Sequence, residues 1–206
     1  MPDLPSRRTR EKELTAALAI MWAQAAKAPT PDNLFRVRFA MPAAAMETLR
    51  KVYIEAAGQL AAQYGMEVDS AVIEKAANRW ATMYAQQLAD EVSNTTFAKA
   101  NQAMMKSAGD GGVFQDLMAA AFSDARAESI AITEITRTIT AAEQGLAAYM
   151  LAMQLGTPRN TWHTAGDERV CDVCGPLDGT GPEGYGAVSI SGPPAHPRCR
   201  CWLEWE

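Results

Sequence analysis

The C-terminal part of the chain contains the segments CDVCGPLDG at residues 171–179 and PPAHPRCRC at residues 193–201, which together hold all four cysteines. The two residues between Cys171 and Cys174 allow a tight turn that brings both sulfurs to one metal ion. His196 and Cys199 have the same spacing and can approach the ion from the other side of a short hairpin. Cys201 is an alternative fourth ligand, because residues two apart in an extended chain face the same way. The spacing therefore predicts a closed, structural zinc site whose four ligands come from these five residues.

The same cysteines allow other interpretations. Four cysteines can form two disulfides or remain as reduced thiols. The apolar stretch Leu14–Trp22 is short and follows a highly charged segment, so we do not expect the N-terminus to act as a signal peptide. A protein that stays in a reducing cytoplasm rarely keeps disulfides. A redox-active C-x-x-C pair begins a helix, whereas Gly175-Pro176 follows the pair here. Zinc binding is the interpretation that we favour.

The segment around these cysteines is small and rich in glycine and proline. Residues 157–206 form a lobe for which the sequence predicts three short strands, near Asn160–Thr164, Ala187–Ser191 and Arg200–Trp205. A piece of this size buries too little apolar surface to fold alone. A structural zinc ion contributes roughly 10–16 kcal/mol in small peptides, which is comparable with the stability of a whole domain.

Several other side chains of the lobe have predicted roles. We expect Trp162, Trp202 and Trp205 to form its core, although tryptophans can also stack on nucleic-acid bases. Asp167 either caps the turn that leads into Cys171 or orients a metal ligand.

The chain before this lobe has the composition of a helical protein. Nearly all alanines precede residue 153, and no proline occurs between Ala43 and Thr157. Alanine is the best helix former and proline the worst, so this stretch is predicted to be almost entirely helical. Asp69 or Ser70 is the predicted N-cap of the longest helix, and the glycines at 109, 111 and 112 end it. The predicted helices span about Thr9–Lys27, Pro42–Gly65, Asp69–Ser107, a short segment from Phe114, and Glu128–Leu155 with Gly156 as the stop.

The last of these helices has an apolar stripe at steps of three and four residues. The stripe consists of Ile132, Ile135, Ile139, Ala142, Leu146, Tyr149 and Met153. This spacing is typical of a helix that packs on other helices. The predicted fold class is α+β and mostly α, with an alanine-rich helical N-terminal portion at residues 1–112. A second domain follows at residues 113–206, made of helices at 113–155 and the cysteine/histidine lobe at 157–206.

Charge and hydropathy narrow the classes of function. The net charge is −5 and the isoelectric point is near 5.2. Proteins that bind duplex DNA usually have the opposite charge balance, so overall charge does not support a DNA partner. No run of apolar residues approaches the length of a membrane-spanning helix, so no membrane association is expected.

The combined motif resembles a known family. The pattern W-x-T-x-x-D-x-R-V-C-x-x-C-x-x-L-D-G begins at Trp162, and P-P-x-H-P-x-C-R-C-x-L begins at Pro193. It is similar to that of the phage Mu F-like head-morphogenesis family of minor capsid proteins, and the likeness covers about residues 126–204. Thr133-Glu134 matches a Thr-Glu pair of the family. The family often has arginine before that pair where this chain has Ile132. If that arginine pairs with the glutamate in other members, the pairing is either lost here or taken over by Arg137.

The resemblance implies a structural role. Members of the family are minor head components that associate with the portal vertex and act in head assembly and in genome packaging or delivery. The implied partners are the phage portal and capsid or scaffold proteins, and the implied location is the virion, after assembly in the host cytoplasm. No residue is implied to be catalytic.

Two other functions compete with this interpretation. The first is a metal-dependent nuclease of the His-metal finger type, for which His163 is the only spare histidine. The second is a zinc-lobed DNA-binding module, which the acidic charge disfavours.

Overall fold

A computed structural model of the chain describes residues 4–26, 31–106, 116 and 118–206. It is mostly helical with one small sheet, which confirms the predicted fold class. The four long helices are α1 (Arg7–Ala26), α2 (Pro31–Gln63), α3 (Ser70–Lys106) and α4 (Asp124–Ala152). Strand β1 (Asn160–His163), the four-residue helix α5 (Pro182–Tyr185) and strand β2 (Trp202–Trp205) follow. Among the described residues, no helix is both long and apolar enough to cross a membrane.

Helix α2 begins earlier than the sequence predicts. The expected start at Pro42 is wrong, because the helix begins at Pro31 and continues through Pro42. A proline inside a helix removes one hydrogen bond and costs about 3 kcal/mol. Burial offsets this cost, since Met41, Ala45 and Leu49 are completely inaccessible to solvent.

Helix α3 begins where the sequence predicts, and its last described residue is Lys106. The Asp69 side chain accepts a hydrogen bond of 2.9 Å from the backbone amide of Ala71, which confirms Asp69 as the cap. The predicted glycine break and the start of the short helix at Phe114 lie outside the described residues. Residues 118–121 are helical.

Helix α4 ends in a way that the sequence did not predict. It begins at the N-cap Ser123, whose side chain accepts a hydrogen bond from the amide of Arg126. At the other end, Gln154 adopts the left-handed conformation (φ 57°) and the amide of Leu155 donates to the carbonyl of Met150. This is a Schellman motif, in which a left-handed residue satisfies the last helix carbonyls. Gly156 is therefore not the stop residue, because the chain has already left the helix.

The long helices share one apolar core. Its completely buried members include Leu14 and Leu18 of α1, Leu49 of α2 and Ile135 of α4. The predicted stripe of α4 is buried from Ile132 to Leu146, whereas Met153 at its end is 55% exposed. Helix α4 belongs to the predicted second domain but packs on α1 and α2. The boundary predicted at residue 112 lies outside the described residues and stays a prediction.

The C-terminal lobe has its own core, which continues into the helices. Strands β1 and β2 are antiparallel and pair Trp162 with Leu203, and both side chains are completely buried. The strand predicted at Ala187–Ser191 is wrong, because this segment forms turns after α5. The lobe core also includes Leu60 of α2 and Leu146 of α4. The lobe therefore completes its apolar core on the ends of two long helices.

Candidate metal centre

The first pair of cysteines lies in a turn that precedes a short 3₁₀ helix, Gly175–Leu177. The backbone amides of Cys174 and Gly175 both donate to the carbonyl of Cys171, at 3.1 and 2.9 Å. The Cys174 amide also lies 3.4 Å from the Cys171 sulfur. These bonds hold the two sulfurs on the same side of the turn, as the C-x-x-C spacing predicts.

His196 faces this turn. Its Nε2 atom lies 3.1 Å from the Cys171 sulfur and 3.1 Å from the Cys174 sulfur. Its Nδ1 atom lies 2.8 Å from the carbonyl oxygen of Pro197. A carbonyl can only accept, so Nδ1 donates, and Nε2 of the neutral ring keeps a lone pair directed at the cysteines.

The second pair of cysteines closes the cluster from the buried side. The sulfur of Cys199 lies 3.8 Å from that of Cys174. The potential ligand atoms form two overlapping groups, each within 4.8 Å: Cys171, Cys174 and His196 in one, and Cys174, Cys199 and Cys201 in the other. All four cysteines are free thiols. The structure thus brings all five predicted ligand residues together, with Cys174 shared between the groups.

These residues fit a tetrahedral thiolate and imidazole site. With metal–sulfur bonds of about 2.3 Å, two sulfurs of a tetrahedral zinc site lie about 3.8 Å apart. The Cys174–Cys199 separation matches this distance. Each group can hold a metal ion, and a four-ligand site would combine members of both.

The thiols have unequal acidities. Hydrogen bonds from backbone amides, first that of Cys174, lower the pKa of Cys171. A hydrogen bond with the Cys201 thiol lowers the pKa of Cys199 to about 5, and the same hydrogen bond, together with burial, raises the pKa of Cys201. Burial raises the pKa of Cys174 to about 12. A thiolate is the form that binds metal, so Cys171 and Cys199 are the two thiols best prepared as ligands.

Helix α4 anchors the second cysteine segment through hydroxyl groups. Thr136 donates to the carbonyl of Cys199 at 2.8 Å, and the backbone amide of Arg198 donates to Thr133 at 2.9 Å. The buried side chain of Arg7, from α1, donates to the Thr136 hydroxyl at 2.6 Å. The cysteine segment is therefore fixed to the helical core by two threonines and one arginine.

The supporting role of Thr133, Thr136 and Arg7 was not predicted from the sequence. The sequence does contain a pattern that indicates the threonines. They occur at positions 133, 136 and 140, at steps of three and four residues beside the apolar stripe of α4. Hydroxyls at this spacing form one line along a helix. No local pattern indicated that Arg7 lies against that line.

A second polar group on α4 involves the Thr-Glu pair. Glu134 accepts a hydrogen bond of 2.5 Å from the Tyr84 hydroxyl, and Arg137 lies 3.3 Å from the same carboxylate. Of the two alternatives for Glu134, the structure therefore shows the second, in which Arg137 takes over the pairing. Burial raises the pKa of Glu134. Trp80 stacks on Tyr84 with ring centroids 4.8 Å apart.

The remaining predicted residues occupy supporting positions. Trp162 and Trp205 are buried in the lobe core, as predicted, while Trp202 is half-buried and stacks on His163. The His163 Nε2 atom lies 2.8 Å from a carboxylate oxygen of Glu204. Asp167 accepts a hydrogen bond of 3.0 Å from the amide of Arg169, which confirms that it caps the turn before Cys171.

The fold and the cysteine/histidine cluster define a helical protein with a small C-terminal lobe that could hold a metal ion. A family model described as Phage Mu protein F like protein matches residues 70–204, and the chain belongs to this family. The match includes α3, so it extends well before the motif region that sequence inspection identified. Membership indicates a phage head-morphogenesis protein and a virion component. No curated protein and no solved structure matches the chain significantly.

Proposed function

We propose that this protein is a non-enzymatic minor head protein that associates with the portal vertex and acts in head assembly and in genome packaging or delivery. The observation that carries the proposal is the family match, which covers α3, α4 and the whole cysteine/histidine cluster. The described side chains support a structural role for the cluster, because its members are packed into the lobe core and bonded to α4.

The metal of the proposed site is zinc. Thiolates with one imidazole are a ligand set that zinc prefers in structural sites. Cys174 and Cys199 would bind from the buried side, and two of Cys171, His196 and Cys201 would complete the four ligands. The ion would supply crosslinking energy to the lobe and no chemistry, because a site with four protein ligands leaves no open position for a substrate.

Elemental mass spectrometry together with a thiol count tests the zinc site. We expect one zinc per chain, and four reactive thiols after denaturation with a chelator. A preparation with two disulfides and no metal would refute the site and leave the family assignment intact.

Co-expression with the portal protein of the same phage tests the portal association. We expect the two proteins to co-elute in size-exclusion chromatography, whereas an unrelated ring-shaped oligomer of similar size mixed with this chain is the negative control. Elution of this chain alone would contradict the portal association. Nicking of a supercoiled plasmid with magnesium, abolished by His163→Ala, would contradict the non-enzymatic role.

A further inference from the structure

A groove separates α1 from the lobe. Its walls are the N-terminal half of α1, the first turn of α4, and the lobe residues near Arg169 and Arg200, and its volume is about 790 Å³. The small side chains of Ala16, Ala19 and Ala125 line it. Half-buried Trp202 is the one large apolar side chain among the lining residues.

Four exposed cations face this groove from two sides. Arg8 and Lys12 come from α1, and Arg169 and Arg200 come from the lobe. Arg8 and Lys12 are four residues apart and therefore lie on the same face of the helix. Within the described part of the chain, none of the four forms a salt bridge within 4.0 Å.

Two of the four acidic side chains that line the groove are paired with arginines. Glu11 pairs with Arg7 at 3.0 Å, and Glu128 pairs with Arg198 at 3.0 Å. Asp167 accepts from a backbone amide, and Asp124 lies in the first turn of α4, where the helix dipole offsets its charge. After these two ion pairs are set aside, four cations face the carboxylates of Asp124 and Asp167, so the groove has a net positive charge although the whole chain is acidic.

We propose that this groove binds the phosphodiester backbone of DNA. Guanidinium and ammonium groups are the usual partners of backbone phosphates, and a regular polyanion can engage cations on both walls at once. Small alanine side chains allow a strand to approach the floor closely. An acidic protein segment is a poorer fit, because the lining offers few pockets for apolar anchor residues. This surface is a second function beyond the proposed structural role, and it does not depend on the identity of the metal.

Salt dependence makes the proposal quantitative. Four phosphate contacts predict a slope of about −3.6 for log K against log salt concentration, since each contact contributes about −0.9 on duplex DNA. Affinity should then fall about 150-fold between 50 and 200 mM salt. Removal of two contacts should change the slope of log K against log salt concentration to about −1.8, and the loss of affinity between 50 and 200 mM salt to about 12-fold.

The experiment uses the full chain and a fluorescein-labelled 20-base-pair duplex, measured by fluorescence anisotropy. The test variant is Arg8→Ala with Lys12→Ala, because both residues are exposed on α1 and far in sequence from the cysteines. The control variant is Lys75→Ala with Arg79→Ala, which removes the same charge from two exposed positions four residues apart on α3. We expect the control to bind like the wild type and the test variant to show the reduced slope.

Several results would overturn the proposal. No binding at 50 mM salt, or equal slopes in the wild type and the test variant, would show that these cations do not contact phosphates. An equal loss in the control variant would show only a general charge effect. Tighter binding of a ten-residue polyglutamate than of the duplex would reassign the groove to an acidic protein.

Discussion

Glu143 is predicted to make the protein less stable as the pH rises from 5 to 8. This residue lies on α4 against the lobe core and is 1% exposed. Burial raises its pKa from the ordinary value of 4.5 to about 7, and a hydrogen bond of 3.2 Å from the Trp205 indole only partly opposes this shift. A carboxyl group with a raised pKa binds its proton more tightly in the folded protein. Its stabilising contribution is therefore complete below pH 4.5 and is lost as the pH rises through 7.

The magnitude follows from the two pKa values. One pKa unit corresponds to about 1.4 kcal/mol, so charging Glu143 in the folded protein costs about 3 kcal/mol relative to the unfolded chain. Between pH 5 and pH 8, the free energy of unfolding should fall by about 2–3 kcal/mol because of this residue alone. Glu143→Gln keeps an acceptor for the Trp205 indole and removes the titration.

Urea unfolding at several pH values measures this effect. The free energy of unfolding of Glu143→Gln minus that of the wild type should increase by about 2–3 kcal/mol from pH 5 to pH 8. Contributions of the cysteines cancel in this difference, since both proteins contain them. The matched control is Glu67→Gln at an exposed position, for which the difference should not change with pH. Parallel pH curves for the wild type and Glu143→Gln would refute the reasoning.

Three further predictions concern packing, capping and the metal cluster. A side chain at Gly145 would collide with the Tyr53 hydroxyl, so Gly145→Ala should lower the free energy of unfolding by about 1–3 kcal/mol. Adding Tyr53→Phe to this variant should restore part of the lost stability. Equal losses with and without Tyr53→Phe would contradict this contact. Asp69→Ala should lower the free energy of unfolding in urea by about 1 kcal/mol because the α3 cap is lost, whereas Asp69→Asn should lower it much less. Similar losses of stability for both variants would contradict the capping role. Cys171→Ser should reduce the near-ultraviolet circular dichroism of buried Trp162, while the far-ultraviolet helix signal remains. Loss of both signals, or no change in either signal, would show that the cluster does not stabilise the lobe selectively.

The helical part of the fold could largely be predicted from local sequence. Alanine content and the proline-free stretch indicated α3 and α4 within a few residues of their bounds, because helix propensity and capping act over a few neighbours. The same reasoning failed at Pro42. Helix propensity correctly assigns a cost to a proline inside a helix. The burial of Met41 and Leu49, which offsets this cost, depends on the packed core and not on the local sequence.

The short strands show a similar limit. The positions of β1 and β2 were predicted, whereas Ala187–Ser191 was also predicted as a strand and forms turns. A strand needs a partner. β1 pairs with β2 on one side, and on its other side Trp162 exchanges backbone hydrogen bonds with Gly179 and Thr180. Periodicity alone carries no information about partners.

The sequence by itself determined the helical class, the change of character near residue 156, and the five residues that could bind a metal. These features depend on residue type and on spacing along the chain. Only the tertiary structure decided that Thr136 and Arg7 hold the cysteine segment, that Glu143 lies beneath Trp205, and that cations nearly two hundred residues apart in sequence face one groove. Such contacts follow from how helices pack on one another, and packing depends on side chains from distant parts of the chain rather than on near neighbours.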